Sequence, residues 1–388
     1  MKILKSPVFQ IFTYVVGAII LRFVLEQFIE EKYSFWIRMI VVVIILLFGA
    51  FFVLKGTAKV IEETTGVLSH KTKIAGGLLQ SLGTAFPDMI LGIVAALISL
   101  RLVKTDYTMA ISYAIIAAST TFGSNIYNIG HAVWCVFRQN LADKKGKQIL
   151  MFPYVKALGT VTPIKDHKTK PSLKEFDTSI DILNVLTILT AVVALSMVLF
   201  GQVANVPGEM RGDLYQLIKP VGVVILLLCI FAMYYFRKSE KAEGRLGKEE
   251  EENYYNKKSI PVILVYLFFS GIAILFAAET MVNAVKVFSD LTGLPFVMAG
   301  VFAGIIGCLG EMIVVHNFSV HPTGRLGDAI VGVSMDNMVT TMGACIVAIM
   351  GGIFLGGNAL ILIFVVILML NTMLIWQISK LKNYFLVK

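Results

Sequence analysis

IAGGLLQSLGTAFPDMI (residues 74–90) and VMAGVFAGIIGCLGEMI (residues 297–313) are two apolar runs, each with one acid in its second half, Asp88 and Glu311. At a constant offset of 223, Gly77 falls on Gly300, Asp88 on Glu311, and Met89-Ile90 on Met312-Ile313. A carboxylate at bilayer depth costs at least ~2.5–3.5 kcal/mol even on lenient scales, and such residues usually face water, an ion or a partner. Function outweighs a structural pair with Lys55, or a neutral buried acid, because both repeats carry an acid at the same place.

The surrounding chain is built for lipid. It has 388 residues, 57% hydrophobic and 15% charged, with a mean hydropathy of +0.80. A soluble protein has about 45–50% apolar and about 25% charged residues. A crossing helix needs about 20 apolar residues, and ten stretches qualify: Val8–Phe28, Phe35–Ile61, Ile74–Leu100, Met109–Phe137, Ile180–Val203, Leu217–Phe236, Ile260–Phe288, Pro295–Phe318, Asp328–Met350 and Ala359–Ile378. The runs are continuous rather than alternating, so the class is all-α and polytopic, not a barrel. With the N-terminus inside, Lys and Arg number 24 in inside segments against 4 in outside loops. This bias puts both termini in the cytoplasm, and the cell membrane is the expected location. No small-residue cleavage site follows the first span, so it is expected to be retained.

This orientation runs the Asp88 span from inside to outside and the Glu311 span from outside to inside. Repeats of inverted topology are a signature of secondary transporters with a midplane site. The expected organisation is a first half over 1–236, a charged linker over 237–258 and a second half over 259–388. The unmatched span Val8–Phe28 is a candidate for the place of a last helix that the second half lacks. The basic loop 138–179 and the linker, with Glu249 to Glu252, read as solvated connectors. Cys135, Cys229, Cys308 and Cys345 lie in apolar stretches, and no Cys/His spacing suggests zinc.

In Gly83-Thr84-Ala85-Phe86-Pro87-Asp88, Pro87 has no N–H and obstructs the Gly83 carbonyl four residues back. That oxygen and the Thr84 hydroxyl are thereby open to a ligand. Carboxylate, carbonyl and hydroxyl oxygens are what Ca²⁺ selects. In the second repeat, Gly307 and Gly310 allow a similar break without proline. The fourth span carries Gly123-Ser124-Asn125-Ile126-Tyr127-Asn128, with Ser124 and Asn128 on one helix face. The ninth carries Ser334-Met335-Asp336-Asn337 and Thr340-Thr341. Interhelical hydrogen bonding is the plainer role for each Ser, Asn or Thr taken alone. His131 and His316 are either proton relays or wall residues, and Glu279 and Lys55, of opposite sign at near-equivalent repeat positions, could pair.

Gly83-Thr84-x-x-Pro87-Asp88 followed by Gly123-Ser124-Asn125-x-x-Asn128 resembles the first α-repeat of the cation/Ca²⁺ exchanger superfamily, which includes the Na⁺/Ca²⁺ exchangers. The resemblance covers about 74–130 well and 297–345 weakly. It implies that Asp88 and Glu311 are the central cation ligands, joined by Thr84, Gly83, Ser124 and Asn128. The second repeat has Gly307-Cys308-Leu309-Gly310-Glu311 where the family has a Thr and a Pro, and it lacks Gly-Ser-Asn; chemistry there favours Asp336 and Asn337. The resemblance implies antiport of Ca²⁺ against Na⁺ or H⁺, with the second and seventh spans sliding against a core. Inorganic cations and the bilayer are the expected partners, with no cofactor, nucleic acid or enzymatic activity. One alternative is transport of Mg²⁺, K⁺ or an organic cation on the same scaffold. The other, an intramembrane aspartyl protease, needs Gly-x-Gly-Asp, whereas Gly324-Arg325-Leu326-Gly327-Asp328 has one residue too many.

Overall fold

The computed structural model describes residues 7–72, 86–167, 170–204, 206, 213–241, 254–321 and 326–386. Its helices are α1 (Pro7–Ile20), α2 (Phe35–Phe48), α3 (Lys55–Thr72), α4 (Phe86–Leu102), α5 (Tyr107–Lys145), α6 (Leu173–Phe200), α7 (Lys219–Lys241), α8 (Ile260–Thr292), α9 (Phe296–Val320), α10 (Leu326–Met350) and α11 (Gly357–Leu386). A π-helical turn (Gly49–Leu54) joins α2 to α3, and another (Leu21–Leu25) extends α1. Among the described residues, seven helices are long and apolar enough to cross a membrane, or eight if α9, bent by 49° between Leu309 and Glu311, counts as one span. The chain is thus an all-α polytopic membrane protein. Of the other expected spans, Met109–Phe137 lies within α5, and Ile74–Leu100 is helical from Phe86 onward, its residues 74–85 lying outside the described residues. Only the apolar part Met89–Leu102 of α4 is recognised, as a shorter apolar helix, while α5 is 39 residues long with polar residues throughout its buried face.

Burial separates core from periphery. In the most apolar window of Ala329–Met350, 78% of residues are buried inside the protein, against 22% for Pro7–Ile29. The most hydrophobic spans therefore face lipid, and the spans rich in small and polar residues form the centre. Helices α4, α5, α9 and α10 make that centre, with α6, α7 and α11 packed around it. Helices α1, α2 and α3 gather on α8 as a peripheral group.

The helix ends follow local rules. Asp106 caps α5 by accepting from Met109 N at 2.9 Å, and Ser172 and Glu175 form a capping box on α6. Gly146 and Gly293 take the left-handed conformation that closes α5 and α8.

Helix directions can be read from the contacts. Helices α4 and α5 form a tight antiparallel hairpin, with Ser99 Oγ donating to Ala110 O at 2.7 Å. Along α5 and α9 the contacts advance together: Ser119 meets Gly300, Ser124 meets Gly304, and Asn128 meets Glu311. Thus α5 and α9 are parallel, and α4 runs opposite to α9. Likewise Met89 lies against Gly343 and Ala96 against Gly352, so α4 and α10 are parallel. The two acid-bearing helices are inverted relative to one another, as the loop charges required.

The loop 138–179 is not the solvated connector expected. Helix α5 continues to Lys145, and β1 (Ile149–Phe152) pairs antiparallel with β2 (Val155–Val161). Met151 and Val161 are fully buried, and Arg138 donates through Nε to Leu150 O at 3.1 Å. Gly159, at φ 81°, packs against Val320 of α9. A second ribbon pairs β3 (Leu214–Gln216) with β4 (Phe354–Gly356).

Candidate functional site

Glycines bring α5 and α9 to near contact. A Cβ on Gly304 would lie 2.7 Å from Ser124 N and 2.8 Å from Thr120 O, and one on Gly123 would lie 2.9 Å from Val301 Cα. Small residues spaced this way let membrane helices approach backbone to backbone. One to two turns further, Asn128 Nδ2 donates to Glu311 Oε2 at 2.5 Å. Both side chains are buried. The bend of α9 falls at this acid, where Gly307 and Gly310 were expected to permit a break.

Ser124 is buried one turn before Asn128, and its Oγ donates to Thr121 O at 2.9 Å. On α10, Asn337 is fully buried and its Nδ2 donates to Val333 O at 2.7 Å. Asp336 is half-buried, and its backbone oxygen accepts from Thr340 Oγ1 at 3.0 Å. The Oδ1 atoms of Asn125, Asn128 and Asn337 are buried and accept no hydrogen bond among the described residues. An acceptor taken out of water without a donor carries a desolvation cost of ~1–3 kcal/mol. A cation offsets that cost where a donor does not, and an all-oxygen set suits a hard one.

Gly83 and Thr84 lie outside the described residues, as does the Asp88 side chain. The Asp88 backbone is in the first turn of α4, one turn before Gly92, whose Cβ would meet Thr121 Oγ1. In the antiparallel hairpin this sets it level with Asn125 on α5. Of the eight expected ligands, Asn128 and Glu311 are thus in direct contact. Ser124 shares the Asn128 helix face, and Asp336 and Asn337 sit on α10, which packs against both α4 and α5.

A second polar cluster lies outside the expected set. Glu279 pairs with Arg22 at 2.9 Å and with Arg101 at 3.9 Å, while Lys55 is exposed, so Glu279 takes arginine partners rather than Lys55, the pairing the sequence left open. Arg22 also holds Glu26 at 2.8 Å, and Glu26 accepts from Thr280 Oγ1 at 2.9 Å and Asn283 Nδ2 at 2.7 Å. Tyr113 donates to Asn283 Oδ1 at 2.9 Å. Arg22, Glu26, Tyr113 and Asn283 line a cavity of about 660 Å³. The signal was present in the sequence: Arg22 and Glu26 are two opposite charges four residues apart within an apolar run.

No family model matches the sequence, and neither does any curated protein. Among solved structures the chain is similar to native YfkE, at 13% identity and TM-score 0.54 over 97% of both chains. It is also similar to the H⁺/Ca²⁺ exchanger CAX, at 12% identity and TM-score 0.57 over 99% of this chain and 96% of that one. The sodium-calcium exchanger NCX_Mj matches at 16% identity and TM-score 0.43, over 90% of this chain and 97% of that one. The first two establish that this chain has their fold along nearly its whole length.

Proposed function

We propose that the protein is a secondary antiporter that exchanges Ca²⁺ for Na⁺ or H⁺ at a midplane layer of oxygens. The observation that carries this reading is Glu311, buried inside the protein and held by Asn128 across two glycine-sealed parallel helices. The fold shared with CAX, whose name states H⁺/Ca²⁺ exchange, supports the same substrate class. Asp88 and Glu311 bind the cation, and Gly83, Thr84, Ser124, Asn128, Asp336 and Asn337 complete or tune its shell. The exchange is obligatory because a site emptied of its cation leaves unpaired carboxylates in a low-dielectric barrier, where their reorientation is costly. Alternating access then comes from the peripheral group of α1, α2, α3 and α8 moving against the tightly packed centre. The protein resides in the cell membrane with both termini in the cytoplasm.

The test is radioactive calcium uptake into vesicles under separately imposed outward Na⁺ and H⁺ gradients. Uptake driven by one gradient names the counter-ion, and Asp88→Asn and Glu311→Gln each abolish it. Normal uptake in both variants overturns the site. Absence of gradient-driven calcium uptake in the wild type overturns the substrate and favours Mg²⁺, K⁺ or an organic cation on the same scaffold.

A further inference from the structure

The seam between α5 and α9 continues past Asn128 and Glu311 into donors of a different chemistry. His131 and Cys135 are four residues apart on α5 and share one helix face. His316, on α9, meets them from the other side, and its ring stacks on that of His131 at 5.8 Å. The donor atoms of His131, Cys135 and His316 all lie within 4.8 Å of one another. His131 Nε2 stands 3.6 Å from Cys135 Sγ. A tetrahedral ion bound at ~2.05 Å to nitrogen and ~2.3 Å to sulfur separates those two atoms by about 3.6 Å.

The surroundings match such a site. His316 Nε2 is 2.9 Å from Leu158 O in β2. That bond puts the proton on Nε2 and leaves Nδ1 with its lone pair, the outer contact that orients a ligating histidine. Phe152 of β1 stacks on both histidines, at 6.4 and 5.9 Å. Cys135 is buried, so the sulfur is shielded from bulk oxidants.

We propose that His131, Cys135 and His316 bind one divalent transition-metal ion of the Zn²⁺ class, at a site separate from the oxygen-lined cation layer. Two imidazoles and a thiolate favour Zn²⁺ and disfavour Ca²⁺ and Mg²⁺, which take oxygen. Three protein donors leave the fourth position to water. The ion would join α5 to α9, and through His316 to the ribbon β1–β2. His131 and Cys135 are neighbours on one face of α5, but the third donor, His316, comes from α9, far away in sequence, which is why spacing alone gave no sign of the site.

The test titrates the full-length protein in detergent with Co²⁺, then displaces it with Zn²⁺. The wild type shows a thiolate-to-cobalt charge-transfer band that saturates at one equivalent and is abolished by Zn²⁺. Cys135→Ser removes the band, and His131→Gln and His316→Gln each weaken binding at least ~10–100-fold. Glu311→Gln keeps the band, so failure of the cation-exchange reading leaves this result standing. No band at saturating Co²⁺, or an undiminished band in Cys135→Ser, overturns the site. Should Cys135→Ser fail to run as a single species on gel filtration, the two histidine variants decide: unchanged Co²⁺ affinity in both overturns it.

Discussion

Gly304→Ala wedges the helix seam open at its tightest backbone contact. The added Cβ lies 2.7 Å from Ser124 N and 2.8 Å from Thr120 O, against a comfortable separation of ~3.5 Å. Both neighbours are backbone, so no side chain can swing aside and α5 and α9 must part by about 0.7 Å. Overpacking of this kind costs ~1–3 kcal/mol. The same parting stretches the 2.5 Å Asn128–Glu311 bond to about 3.2 Å, the edge of the useful range, and a hydrogen bond to a charged group is worth ~1.5–3 kcal/mol. Alanine returns ~1 kcal/mol of helix propensity, which leaves a net loss of ~1.5–5 kcal/mol. Gly271→Ala is the matched control, because its Cβ on α8 meets nothing within 4 Å. Thermal unfolding in detergent should place Gly304→Ala well below wild type, and Gly271→Ala at or above it. Equal midpoints for the two variants would refute the seam as a rigid contact.

Asn128→Leu removes the amide donor to Glu311; it should lower the unfolding midpoint by an amount equivalent to ~1.5–3 kcal/mol and stop calcium uptake, and wild-type uptake would contradict it. A double-mutant cycle on Arg22→Ala and Glu279→Ala should give a coupling of ~0.5–1 kcal/mol, because the pair, at 27% side-chain exposure on each side, is partly screened; zero coupling would show that the pair is incidental. Arg138→Ala frees the Leu150 carbonyl and loosens the β1–β2 ribbon, so limited trypsin digestion should cut sooner at Lys156, and an unchanged cleavage rate would count against the anchor.

The helical class and the opposed directions of the acid-bearing spans were legible because hydropathy and loop charge answer to the bilayer, which acts on every span alike. Glu311 and Asn128 could each be singled out by chemistry, yet their contact could not, since it depends on glycines at 123, 300 and 304 that set the helix separation. The ribbon 149–161 escaped because its short strands sit among lysines and are buried, at Met151 and Val161, only by the packing of the folded chain. Arg22 and Glu26 escaped because their partners Glu279, Thr280 and Asn283 arrive from a helix more than 250 residues away. The least apolar of the spans, Ala329–Met350, is also the most buried, because lipid rather than protein is the apolar partner of α1 and α2.

The ribbon of β3 and β4 constrains how the molecule can move. It pairs Leu214, Tyr215 and Gln216 with Gly356, Leu355 and Phe354, and is extended by Leu217 N to Ile353 O at 3.2 Å and Gly357 N to Asp213 O at 3.0 Å. It therefore buckles the connection before α7 to the connection before α11, two segments far apart in sequence. Moving α7 and α11 apart would unzip that clasp, so the two helices are geared to travel together or to stand still together.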